Sequence, residues 1–250
     1  MNASTTRMHA LDSAPKSMMR LAWRLAWRLT RCLTWCFVAL AALPTTAAAT
    51  PPTPLQQAAL DAAVIDYEAG HHAQAAEAFE ALSQRGLAAA DYNLAVMHLR
   101  AELPQPSLPR AEQLLIRAAR AGFVTAQLML GRALENGELG RRDLNLAHQW
   151  YEVAAEGGHV EAQVAMGTAF YLGRGRVKDS ERAAHWFREA AKGGEVGAMY
   201  LLASMYEQGD GVALNLRLAR HWYGLAARAG DEAAPSKVKE LDTKLATAPP

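Results

Sequence analysis

Apolar and polar positions along this chain fall at helical spacing, in blocks that return. In Glu161–Gly173, "EAQVAMGTAFYLG", apolar residues stand at steps of three and four, and the pattern stops at a glycine. A polar stretch, "RGRVKD", follows. The next block, "SERAAHWFREAAKGG" (Ser180–Gly194), has the same spacing. Each unit therefore predicts two helices joined by a turn.

The unit recurs every 36 residues. Trp150, Trp186 and Trp222 share one register, and Gly86, Gly122, Gly158, Gly194 and Gly230 share another. Ala90, Ala126, Ala162 and Ala198 form a third, and Ala75, Ala111, Ala147, Ala183 and Ala219 a fourth. Phe79, Leu115, Tyr151, Phe187 and Tyr223 form a fifth. Ser107, Asp143, Asp179 and Asn215 recur where the second helix begins, and their side chains suit the free N–H groups of a first turn. The glycine series suits helix ends, where a left-handed backbone carries no Cβ penalty.

Small alanines let helices approach closely. The aromatic pair is expected to fill the groove between units, with Phe79, Trp150, Tyr151, Trp186, Phe187, Trp222 and Tyr223 as the repeating core. A fully buried Trp removes roughly 150–250 Å² from water. At about 25 cal/mol per Å² that is on the order of 4–6 kcal/mol before entropy costs. Neighbouring units are needed to cover such a ring, so the reading is a solenoid.

The stretch "AQVAMGTAFYLGRGRVKDSERAAHWFREAAKGG" resembles the Sel-one-like repeat, a relative of the tetratricopeptide repeat. The resemblance rests on Leu130–Gly131, Met166–Gly167 and Leu202–Ala203, on Gly211–Val212, and on the Trp–aromatic pairs. It implies an all-α, right-handed α-solenoid of about five antiparallel helix pairs. Residues 55–86, containing "YEAGHHAQAAEAFEAL", are similar to an ordinary tetratricopeptide hairpin. Residues 87–122 read as a divergent repeat, with Leu114–Leu115 replacing the aromatic pair. Residues 123–158, 159–194 and 195–230 read as full repeats. Residues 231–250 supply a polar capping helix and tail, as solenoid ends require.

Residues 1–49 change the picture of destination. A basic stretch, "RLAWRLAWRLTR", precedes an apolar run from Leu33 to Leu43, and small residues follow at Ala47 and Ala49. This is the pattern of a cleaved signal peptide with its site near Ala49. The run has 11 residues, too few to span a bilayer. Residues 50–54, "TPPTP", read as a stiff linker. Export to the periplasm or beyond is the expectation, with no stable membrane span after cleavage.

The chain carries 26 Lys and Arg against 25 Asp and Glu, and six of the basic residues lie in the leader. The remainder is slightly acidic, which excludes a basic nucleic-acid footprint. Both cysteines, Cys32 and Cys36, also lie in the leader, so the mature chain has no disulfide to rely on.

Enzyme signatures are lacking. There is no G-x-S-x-G, H-E-x-x-H or Walker loop, and "SKVK" at Ser236 lacks the companions such a site needs. His185 and His221 repeat one register too far apart to share a metal, and His71–His72 falls in a turn. No metal or cofactor is expected. The basic turn Arg174, Arg176 and Lys178 reads as solvated.

The resemblance implies a binding groove on the concave face, lined by the first helix of each pair. Carried onto this sequence, the face offers Tyr92, Val96 and Arg100, then Thr125, Arg132, Glu135 and Asn136. It continues with Glu161, Thr168 and Tyr171, then Tyr200, Ser204, Glu207 and Gln208. The mixture suits a protein or peptide partner. The expected function is a non-enzymatic envelope scaffold. The alternative is a cell-wall-related or β-lactam-binding or hydrolysing protein, since a cysteine-rich branch of the family is linked to penicillin. The paired cysteines of that branch are missing here.

Overall fold

A computed structural model describes residues 51–247; the leader 1–49, Thr50 of the linker and the last three residues lie outside the described residues. The described residues form eleven α-helices and no strand. They are α1 (Pro54–Glu68) and α2 (His72–Gln84), α3 (Ala88–Leu99) and α4 (Leu108–Arg120), α5 (Val124–Asn136) and α6 (Leu144–Glu156). α7 (Val160–Leu172) and α8 (Ser180–Lys192), α9 (Val196–Gln208) and α10 (Leu216–Arg228), and α11 (Ala234–Thr247) complete the set. Each helix packs on its neighbours along the chain. The result is an α-solenoid of five pairs closed by α11. The linker ends one residue early, because Thr53 caps α1 and Pro54 sits in its first turn, where a missing N–H costs nothing.

Local chemistry sets the helix boundaries. Ser107, Asp143, Asp179 and Asn215 each accept the N–H three residues on, opening α4, α6, α8 and α10. At the other end of α4 the Phe123 N–H donates to the Ala118 carbonyl and the Gly122 N–H to that of Ala119, both at 3.1 Å. The left-handed φ of +85° at Gly122 allows this double closure. Ala101 takes a φ of +55° at the position that Gly137, Gly173 and Gly209 fill in later units, so the divergent repeat holds a strained residue there.

The aromatic registers pack differently from the expectation. Phe79, Tyr151, Phe187 and Tyr223 are buried to within 2% exposure. Trp150, Trp186 and Trp222 are only half-buried, lying against the core rather than in it. The cause is helical geometry: adjacent residues point about 100° apart, so one of each pair can face the partner helix. The buried member faces a small residue on the partner helix, Gly131, Gly167 or Ala203 in the register. A methyl on Gly131 would stand 2.6 Å from the Tyr151 ring, and one on Gly167 would stand 2.7 Å from Phe187. His185 and His221 are exposed and lie edge-on to their tryptophans at 5.0 and 5.6 Å.

A second repeating device joins the pairs. Gln127 and Gln163 are buried, and each donates from Nε2 to a carbonyl in the last turn of the preceding helix, Ala119 at 3.1 Å and Ala155 at 3.2 Å. Each of those carbonyls also accepts a turn N–H, from Gly122 and Gly158 respectively, so the glutamine occupies its second lone pair. One repeat earlier the same register holds Asp91, an acceptor that cannot donate when ionised. Arg117 supplies the donors instead, gripping both carboxylate oxygens of Asp91 and reaching the Ser83 hydroxyl.

Candidate functional site

The first helices α3, α5, α7 and α9 present one solvent-facing stripe each, at steps of four and three. The stripes are Ala89, Asn93, Val96 and Arg100; Thr125, Met129, Arg132 and Asn136; Glu161, Ala165, Thr168 and Leu172; Gly197, Leu201, Ser204 and Gln208. Every member is exposed or half-exposed. Neighbouring stripes touch, since Arg132 pairs with Glu161 at 3.5 Å. The middle of this face interleaves apolar Val96, Met129, Ala165 and Leu201 with polar Asn93, Arg132, Thr168 and Ser204. Its borders carry Arg100, Asn136, Leu172 and Gln208 on one side and Ala89, Thr125, Glu161 and Gly197 on the other. Apolar contact positions mixed with hydrogen-bonding groups match the composition of a non-obligate protein-binding surface.

At the start of the face, Tyr67, Phe79, Tyr92, Asn93, Val96 and Arg100 line a cleft of about 180 Å³. The Arg100 Nη1 donates to the Tyr67 hydroxyl at 2.9 Å, and that hydroxyl lies 3.0 Å from Glu102. Tyr92 packs on Phe123 at 5.5 Å between ring centres. Burial raises its phenol pKa, while Arg100 and Arg132 pull the other way.

The candidate residues read from the sequence divide into two groups. Arg132, Asn136, Thr168 and Ser204 stand on the stripe, and Tyr92 and Tyr200 lie half-buried beside it. Glu135, Tyr171 and Glu207 stand one residue off the stripe and turn toward the second helix of their own pair. Glu135 accepts the Tyr151 hydroxyl at 2.9 Å and meets Arg174 at 3.4 Å. Glu207 keeps 11% of its side-chain exposure, accepts the Tyr223 hydroxyl at 3.1 Å, and meets Lys237 and Lys244. Tyr171 lies edge-on to Phe187 at 6.3 Å, with Lys178 over its ring. The expectation of a free, partner-facing side chain is corrected for these three.

The inward register is self-consistent across repeats. Where the buried ring carries a hydroxyl, as in Tyr151 and Tyr223, the facing residue is Glu; where it is Phe187, the facing residue is Tyr171. Burial first, and then the hydrogen bond to a carboxylate, push the Tyr151 and Tyr223 phenols far above their ordinary range. These hydroxyls are permanent donors that lock helix pairs.

Sequence reasoning missed Asn93, Met129, Ala165, Leu172 and Leu201. The signal was present: stepping three and four residues from Arg132, and by 36 between repeats, reaches all five. The basic turn is occupied, with Arg176 bound to Glu152 at 3.0 Å and stacked over Phe170.

The Sel1 (Sel-one) repeat family model matches residues 88–123, 124–159, 160–195 and 196–231. The chain is similar to the crystal structure of a Sel1 repeat protein from Oxalobacter formigenes, at 30% identity and a TM-score of 0.62, covering 68% of this chain and 49% of that one. It is also similar to c5321, a protective antigen present in uropathogenic Escherichia coli strains that displays an SLR fold. There the identity is 26% and the TM-score 0.70, with 77% of this chain and 42% of that one covered. The chain thus spans about half the length, or less, of these two proteins. No curated protein matches it.

Proposed function

The chain belongs to the Sel1 repeat family, and from that premise we propose that it is an exported, non-enzymatic scaffold that binds a protein or peptide partner in the cell envelope through the stripe on α3, α5, α7 and α9. Sel1 repeats mediate protein–protein interaction and are generally non-catalytic. The observation that carries the reading is the stripe itself. It continues over four repeats as exposed and half-exposed positions that mix apolar with hydrogen-bonding side chains, and a repeat stack of this kind builds extended binding surfaces. The leader sequence, basic and then apolar with a small-residue site near Ala49, supports export. None of the described helices is long and apolar enough to cross a membrane.

Two measurements test this. Cell fractionation with mass determination of the processed chain should find a new N-terminus near Ala49 outside the cytoplasm. A pull-down from envelope extract should recover a partner with the wild type and lose it with R132E/L201E, while Q149E/H185E on the second helices retains it. A chain that stays in the cytoplasm with its leader intact removes the compartment. A partner held equally by all three forms removes the stripe.

A further inference from the structure

The two ends of the stack are finished differently. At the C-terminal end, α11 buries Ala234 and Leu241, anchors Lys237 and Lys244 on Glu207, and shows a polar outer face through Ser236, Lys239, Glu240 and Thr243. At the N-terminal end, α1 turns Leu60, Ala63, Val64 and Tyr67 toward the core. Its opposite side is Leu55, Ala58, Ala62, Ile65 and Ala69, all exposed, with Leu55 at 76% and Ile65 at 65%. These positions advance by three and four and make one continuous apolar stripe. A terminal repeat needs a polar outer face to stay in water as a single chain. This one has an apolar face.

The stripe is complementary to itself. Lay a second α1 antiparallel on the first, with the two-fold axis level with residue 60. Leu55 then meets the second copy's Ile65, and Ala58 meets the second copy's Ala62, and the reverse contacts follow by symmetry. Large side chains oppose large ones at the ends, and alanines oppose alanines in the middle. Small central residues let the axes come within the lower part of the usual ~8–10 Å range.

The charges agree with the same register. α1 has no acid in its first turn and no base in its last. Its acids are Asp61, Asp66 and Glu68. Antiparallel pairing sets Asp66 and Glu68 beside the N-terminus of the second α1, where the helix dipole favours negative charge.

We propose that α1 is a self-association helix and that the chain forms an antiparallel α1–α1 homodimer. A single helix pair buries less than the roughly 1,200 Å² of a standard stable interface, which places the dimer among weak, concentration-dependent associations.

Sedimentation of the processed chain, Thr50–Pro250, tests it. Between about 1 and 200 µM, a range that covers weak association, the mass should rise from one chain toward two. A62E should stay at one chain with unchanged helical circular dichroism, since Ala62 is exposed. A58K alone should also stay at one chain. An equal mixture of A62E and A58K should recover the dimer, because residues 62 and 58 face each other across the axis. A constant single-chain mass for the wild type overturns the proposal and leaves the stripe to a different partner. A dimer unaffected by A62E overturns it by placing self-association elsewhere, and a mixture that fails to pair overturns the antiparallel register.

Discussion

Replacing Phe187 by alanine should destabilise the chain more than replacing Trp186, although tryptophan is the larger residue. Phe187 retains 1% exposure, and its ring fills the space left by Gly167 with the Tyr171 ring edge-on. Truncating such a ring costs about 3–5 kcal/mol through lost transfer energy and the cavity left behind. Trp186 is half-buried. At least about two thirds of a roughly 200 Å² indole is covered, which at about 25 cal/mol per Å² gives about 3–4 kcal/mol; its removal leaves no closed cavity, and regained side-chain freedom lowers the net to about 2–3 kcal/mol. For a chain of this length about 1 kcal/mol shifts the melting temperature by roughly 2–4 °C, so F187A should lose on the order of 10 °C and W186A about half of that. Thermal melts by circular dichroism at 222 nm compare the two directly. Hydrogen exchange localises the effect, because repeat arrays can open in parts. A W186A variant that melts below F187A would refute the assignment of the buried face.

Other perturbations give equally definite expectations. A101G should stabilise the chain by about 0.5–1 kcal/mol in urea unfolding, because relief of a left-handed alanine outweighs the extra freedom of unfolded glycine. R117A should cost about 3 kcal/mol by leaving the Asp91 carboxylate buried without its partner, and adding D91Q should recover much of that by restoring the side chain used at Gln127 and Gln163. Acidification should destabilise the fold. Burial, and after it Arg176, hold the His148 pKa below its ordinary 6.5, with Glu135 and Glu152 pulling the other way and Arg174 adding to the depression. Burial, and after it Arg110, do the same to His98. Both rings are neutral in either state at higher pH. As pH falls through about 6.5 the unfolded chain takes up protons first, so stability drops until the folded values are passed. The urea midpoint should therefore decrease between about pH 7 and pH 5, and H148L should flatten that slope.

Features set by neighbours along the chain are legible in the sequence alone. The caps at Ser107, Asp143, Asp179 and Asn215 and the left-handed Gly86–Gly230 series depend on backbone groups within a turn, so residue type and spacing suffice. The period of 36 locates the pairs but does not choose between two adjacent aromatics, because both recur with the same step. The choice lies in the small residues Gly131, Gly167 and Ala203 on the other helix. Likewise Glu135 and Asn136 are adjacent and polar, yet one faces Tyr151 and the other faces water. The Asp91–Arg117–Ser83 cluster joins three helices and has no local pattern to betray it. It becomes readable only when Asp91 is aligned with Gln127 and Gln163 one and two repeats on.

Site-specific photocrosslinking in living cells asks which face of the solenoid meets a partner. A photoreactive residue is placed at Met129 or Leu201 on the first-helix face, and in separate cells at Gln149 or His185 on the second helices. A scaffold that binds through the first-helix stripe gives a discrete envelope-protein adduct from Met129 and Leu201 and none from Gln149 and His185. The same adduct from Gln149 and His185, with none from the first-helix face, would show that the stripe is not the binding surface.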